Sequence, residues 1–233
     1  MERLLSFLLT FALILSLTAC GGNSQGESAD AKPAESTEQP EKEESAPEQE
    51  PEPEPEPFVV PDPVVYTGSG DDVLEITPPE GVYVFHIIGN EENRHFAVTS
   101  YDSNGNYGEL LVNTTEKYDG ITVEPAQSAA MLEISASGAW TVELLSMYAL
   151  QTVTVGNTIT GTGDCVFITD NPGKTAEITG NAGGHYFGVH AYGATSTDLL
   201  VNTTDPYEGT VMLKSNPILV AVTAVDDWSF TLN

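Results

Sequence analysis

Ala139-Trp140-Thr141-Val142-Glu143-Leu144 alternates strictly, with Trp140, Val142 and Leu144 apolar and their neighbours small or polar. Asp227-Trp228-Ser229-Phe230-Thr231-Leu232 repeats the rhythm near the end of the chain. A period of two places the apolar set on one face of a strand. Leu132, Ile134 and Ala136 follow the same pattern. In Val82-Tyr83-Val84-Phe85-His86-Ile87-Ile88 nearly every residue is β-branched or aromatic, which predicts a strand covered on both faces. Beyond Phe58 no long stretch follows the 3.6-residue period of a helix.

The second Trp segment is part of a longer duplication. Leu110–Gly120, LLVNTTEKYDG, returns as Leu199–Gly209, LLVNTTDPYEG. Thr67-Gly68-Ser69-Gly70-Asp71 matches Thr160-Gly161-Thr162-Gly163-Asp164, Gly89-Asn90 matches Gly180-Asn181, and Phe96-Ala97-Val98 matches Phe187-Gly188-Val189. Order is kept throughout, so the body is expected to be two copies of one module. Asn104-Gly105, Asp119-Gly120, Ser137-Gly138, Asn171-Pro172-Gly173 and Gly183-Gly184 supply turn chemistry between the apolar pulses. Seven or eight short strands per copy, each with one apolar face, must bury those faces on a second sheet. The fold class expected is all-β: two tandem β-sandwich domains, repeat 1 over 58–148 and repeat 2 over 149–233. Trp140 and Trp228 are read as core residues. The connection Leu145-Ser146-Met147-Tyr148-Ala149-Leu150-Gln151 is too apolar for a free linker, so the two sandwiches are expected to touch.

Ahead of the body the composition changes. Leu4–Leu17 is an apolar run of about 14 residues behind Arg3; a membrane span needs about 20, and a secretory h-region is shorter. A retained transmembrane anchor is the competing reading, and both the length and the small residues that follow argue against it. Residues 1–19 are read as a signal peptide and 20–57 as a disordered linker. From Gly21 to Pro57 there is no aromatic or branched aliphatic residue, and twelve acidic residues stand against two lysines. Such a stretch cannot bury enough apolar surface to offset chain entropy. Glu50–Pro57 alternates Glu and Pro and is expected to be extended polyproline II; the whole linker spans on the order of 100 Å at its limit.

The chain carries a net charge of −28 with only seven Lys plus Arg. No basic patch is available for nucleic acid. Two cysteines are present, Cys20 and Cys165. Cys165 is read as a half-buried small hydrophobe where an apolar strand begins.

Leu17-Thr18-Ala19-Cys20 followed by Gly21-Gly22-Asn23 resembles the lipobox of bacterial lipoproteins of the Gram-positive type. The resemblance implies cleavage after Ala19, a diacylglyceryl thioether on Cys20, and a protein anchored on the extracytoplasmic face of the cell membrane. The repeat unit, through GSGDDV, GN followed by HFAV, YDSNGN, LLVNTT and A-x-G-x-W-x-x-E, resembles a recurrent all-β module of exported and lipid-anchored bacterial proteins. That resemblance implies a fold and a surface setting, with no activity attached.

Chemistry is sparse. No zinc spacing, phosphate loop, nucleophile elbow or dinucleotide fingerprint occurs, and no cofactor or metal is expected. Asp102-Ser103-Asn104-Gly105-Asn106 alternates oxygen ligands as calcium loops do but lacks their distal carboxylates, and an Asn-Gly hairpin turn explains it more simply. Ser69 and Asp71, with a base from His86 or His95, would make a hydrolase site; repeat 2 carries Glu177 and Tyr186 where the histidines stand. Asn113 and Asn202 are expected to fix turns, and Tyr118 and Tyr207 to pack on the sandwich edge with bonded hydroxyls. The expected function is non-catalytic binding or scaffolding of an envelope protein or glycan, with Tyr101, Tyr107 and Tyr192 as candidate contacts; the alternative is an envelope hydrolase or its accessory.

Overall fold

Eight strands of repeat 1 follow one another in the computed structural model, which describes residues 59–233. They are β1 (Val64–Ser69), β2 (Asp72–Glu75), β3 (Tyr83–Gly89), β4 (Phe96–Tyr101), β5 (Tyr107–Thr114), β6 (Tyr118–Thr122), β7 (Met131–Ser135) and β8 (Ala139–Ser146). A 3-10 turn, Met147–Ala149, leads to nine more: β9 (Thr152–Thr154), β10 (Thr158–Thr162), β11 (Cys165–Asp170), β12 (Thr175–Gly180), β13 (Phe187–Tyr192), β14 (Thr197–Thr203), β15 (Tyr207–Met212), β16 (Leu219–Thr223) and β17 (Asp227–Leu232). The signal peptide expected over 1–19, the lipidated Cys20 and the linker expected over 20–57 lie outside the described residues.

The chain is all-β, as its alternation predicts. Repeat 1 forms two sheets, ordered β1-β8-β3-β6 and β2-β7-β4-β5. Repeat 2 forms β10-β17-β12-β15 and β14-β13-β16-β11-β9. Matched strand by strand, the two halves have one topology. The single addition is β9, which pairs parallel with β11 at the sheet edge and brings repeat 2 to nine strands.

Each sandwich closes over one apolar cluster. Phe85, Ile87, Phe96, Val98, Leu132, Trp140, Val142 and Leu144 fill the first, and Phe167, Ile178, Phe187, Val189, Trp228, Phe230 and Leu232 the second. The tryptophans set the local backbone. A Cβ on Gly68 would lie 2.2 Å from the Trp140 ring, and one on Gly161 2.5 Å from the Trp228 ring. Each indole Nε1 donates to the carbonyl of the next glycine, Gly70 at 3.0 Å and Gly163 at 2.9 Å. Both of those glycines have positive φ, +79° and +74°, where other residues are strained. The TGSG and TGTG segments are thus seats for tryptophan.

Two expectations from turn chemistry are corrected. Asp119-Gly120 is not a turn; it lies inside β6. Its glycine is needed because the Tyr118 ring folds back over it, leaving 2.8 Å from the hydroxyl to a Cβ placed there. Gly209 serves Tyr207 in the same way. Nor do Asn113 and Asn202 fix turns: both sit within strands, exposed. The turns after them are held by the threonine hydroxyls of Thr114, which accepts from the Glu116 N–H, and Thr203, which accepts from that of Asp205.

Two asparagines outside that repeated stretch hold it in place. Asn90 and Asn181 are buried at φ +62° and +64°. The Asn90 amide donates to the carbonyls of Arg94 and Glu116 and accepts from the Arg94 N–H. Asn181 does the same with His185 and Asp205. Each staples the loop after its own strand to the turn that ends LLVNTT.

Candidate binding site

The two sandwiches touch through the outer faces of β3, β6 and β8 on one side and β11, β13 and β16 on the other. Val84 is 0 % exposed although it points away from its own core; it packs with Val123, Leu150, Val166 and Leu219, and with Ile121, Leu145, Ile168 and Tyr192 around them. The apolar connection joins this cluster through Met147 and Leu150. Val84 accounts for the second apolar face of β3; Val82, expected within the same covered strand, is exposed and lies before it.

A polar contact crosses beside the cluster. Tyr118 donates its hydroxyl to Asp164 Oδ2 at 2.7 Å, and the Ile121 N–H donates to the Asp164 carbonyl at 3.1 Å. Asp164 Oδ1 also accepts from the Ala224 N–H. Burial pushes the Asp164 carboxyl above the usual carboxylate range, against the pull of these donors. Burial, with the Asp164 charge beside it, raises the Tyr118 hydroxyl. Tyr207, the twin of Tyr118, has no such partner among the described residues, so the bonded hydroxyl expected for it is not found there. In repeat 1 the twin of Asp164 is Asp71, which only accepts from the Ala136 N–H.

Two grooves flank the junction. One, of about 890 Å³, runs along Leu110–Asp119 and is closed by His185, Tyr186 and Val225 of repeat 2. The other, of about 380 Å³, has Glu109 and Pro125 on one wall and His190 and Tyr192 on the other.

His86 stands on the junction-facing side of β3, its Nε2 2.8 Å from Asp119 and its Nδ1 2.8 Å from Glu143. Burial alone would lower its pKa, but the hydrogen bonds to Asp119 and Glu143 and their charges outweigh that and raise it. Stability from the protonated ring is therefore fully present below about pH 6.5 and lost as pH rises through the raised value. Wild type is expected to be more stable than His86→Gln at pH 5.5 by on the order of 1 kcal/mol, because the pair is only partly buried. The gap narrows as pH rises toward 8.5. Thermal melts at both pH values check this, and a gap that widens with pH would contradict it.

The hydrolase residues are not assembled. His86 is held by carboxylates, and neither it nor the exposed His95 bonds Ser69. Asp71 is used as a backbone acceptor. Asp102 accepts from the Asn104 and Asn106 N–H groups and from the Asn106 side chain, and these bonds hold its carboxyl below the usual range. Its carboxylate thus closes the hairpin turn. Among the described residues no three His, Cys, Asp or Glu side chains are grouped to hold a metal. The Cys165 thiol is half-buried, and burial pushes its pKa up.

Of the three candidate tyrosines, the structure brings two together. Tyr101 and Tyr107 meet edge to face at 6.2 Å on the outer side of β4 and β5, and Tyr101 donates to Glu133 at 2.6 Å. Tyr107 is 65 % exposed. Tyr192 does not join them; it occupies in repeat 2 the place of Tyr101, stacks near His190 at 6.2 Å and is packed into the junction. No family model matches the chain, and no curated protein matches it.

Proposed function

We propose that this chain is a lipid-anchored extracytoplasmic protein whose paired β-sandwiches bind or scaffold a component of the cell envelope without a chemical step. The lipobox-like LTAC-GGN sequence supports the anchor, and the acidic Pro-rich stretch behind it sets the distance of the body from the membrane. Two acyl chains on Cys20 suffice for lasting attachment, where one is marginal. One observation carries binding: the sheet face that repeat 2 buries against repeat 1 is left uncovered in repeat 1 among the described residues, with Tyr101 and Tyr107 on it. An exposed aromatic pair on a rigid sheet presents a large contact area at little entropic cost.

Growth with labelled palmitate is expected to label the wild-type protein and place it in the membrane fraction. Cys20→Ser is expected to remain an unlabelled precursor. Wild-type protein that stays soluble and takes up no label would overturn the anchor.

A further inference from the structure

The two ends of the repeat pair are chemically unlike. In repeat 2 the outer face of β10-β17-β12-β15 is a field of hydroxyls. Thr158 bonds Thr231 at 2.8 Å and Thr179 bonds Ser229 at 2.7 Å, with Glu177 and Glu208 among them. Val84 and Ile121, with which repeat 1 packs on repeat 2 from the equivalent face, are matched here by Thr175 and Thr210. Hydroxyls in place of those apolar side chains make this face polar, as the outer faces of terminal repeats are.

The opposite end is not closed in this way. In repeat 2 the junction covers Val166, Ile168, Leu219, Ala221 and Tyr192. The same register positions on β2, β7 and β4 of repeat 1 are Val73, Glu75, Met131, Glu133 and Tyr101. Val73 is 66 % exposed, and Tyr107 adjoins Tyr101. The face keeps its apolar and aromatic residues but carries carboxylates where module packing uses Ile168 and Ala221. The cationic side chains among the described residues are Arg94, Lys117, Lys174 and Lys214, and none lies on β2, β4, β5 or β7.

We propose that this face of repeat 1, built on Val73, Glu75, Tyr101, Tyr107, Met131 and Glu133, docks a basic protein surface. Lys and Arg are attracted to tyrosine faces and pair with carboxylates, while Val73 and Met131 take the apolar stems of those side chains. A second copy of the chain is a poor occupant, because its hydroxyl end brings Glu177 and Glu208 against Glu75 and Glu133. The inference rests on the binding reading above and adds the chemistry of the partner.

The test uses the full lipidated chain in detergent at 150 mM salt, with cytochrome c and its lysine-acetylated form as probes. Native cytochrome c is expected to bind and the acetylated form to fail. Glu75→Gln/Glu133→Gln and Tyr101→Ser/Tyr107→Ser, with melting midpoints near wild type, each weaken binding at least tenfold. Glu177→Gln/Glu208→Gln leaves it unchanged. Equal loss from the hydroxyl-end variant, equal binding of the acetylated probe, or outer-face variants that bind like wild type would each overturn the proposal. So would self-association abolished by the same outer-face variants. In cells, a photo-cross-linking residue at position 107 is expected to capture a basic protein, and one at position 160 nothing. Capture of a glycan or an acidic protein at position 107 overturns the basic partner and leaves the binding reading standing; no adduct at either position overturns both.

Discussion

Trp140→Ala is expected to destabilise the folded body by about 3–5 kcal/mol, the range for emptying an aromatic site in a packed core. Trp140 is 4 % exposed and lies flat on Gly68, with its indole N–H on the Gly70 carbonyl. Removing the ring opens a cavity that Gly68 has no side chain to fill, and it leaves the carbonyl of a left-handed glycine without its donor. Small domains are held by only about 5–15 kcal/mol in all, so the loss is a large share. Trp140→Phe restores most of the volume but not the donor, and falls between wild type and alanine. Trp228→Ala carries the same expectation in repeat 2, where the ring also stacks with Phe167 at 6.1 Å. Urea unfolding followed by far-UV circular dichroism measures both. A midpoint unmoved by Trp140→Ala would contradict the inward placement of the alternating face.

Asn90→Ala is expected to cost about 2–4 kcal/mol, through hydrogen bonds left unmade in a buried site and a left-handed backbone that alanine resists. Three bonds are lost at once: two to the carbonyls of Arg94 and Glu116, and one from the Arg94 N–H. Asn90→Gly separates the contributions, because glycine accepts φ +62° without strain. It should recover about 1 kcal/mol of the alanine loss and no more. The Glu116 carbonyl belongs to the turn that ends LLVNTT, so amide exchange in 110–118 rises along with the loss of stability. An alanine variant as stable as the glycine one would show that backbone conformation is not at issue. Full stability in both would remove Asn90 as a staple.

How much of this was legible in the chain varies by residue. The alternation in AWTVEL and DWSFTL identified strands, their inward face and the sandwich class, because burial on one sheet face leaves a period of two. The duplication identified the twin topology. Asp119-Gly120 misled because the same dipeptide serves a hairpin turn and a glycine beneath an aromatic ring. The repeated offset Tyr118–Gly120 and Tyr207–Gly209 was the signal that separates the two. Asn113 misled because the threonine next to it makes an equivalent hydrogen bond. Gly89-Asn90 and Gly180-Asn181 were visible as matched pairs, but their partners lie far off in sequence, at 116 and 205. The apolar connection announced that the sandwiches touch, while the faces they use depend on strand register. That register is what sets Glu75 against Ile168 and Glu133 against Ala221, and so separates Tyr101 from Tyr192.

Hydroxyl-radical footprinting of purified protein and of intact cells tests the uncovered face most directly. In the purified chain Tyr107, Val73 and Met131 are expected to be modified readily, and in cells they are protected while the Thr158–Thr162 strand is modified equally in both. Equal modification of Tyr107 in purified protein and in cells would contradict a role for that face in binding.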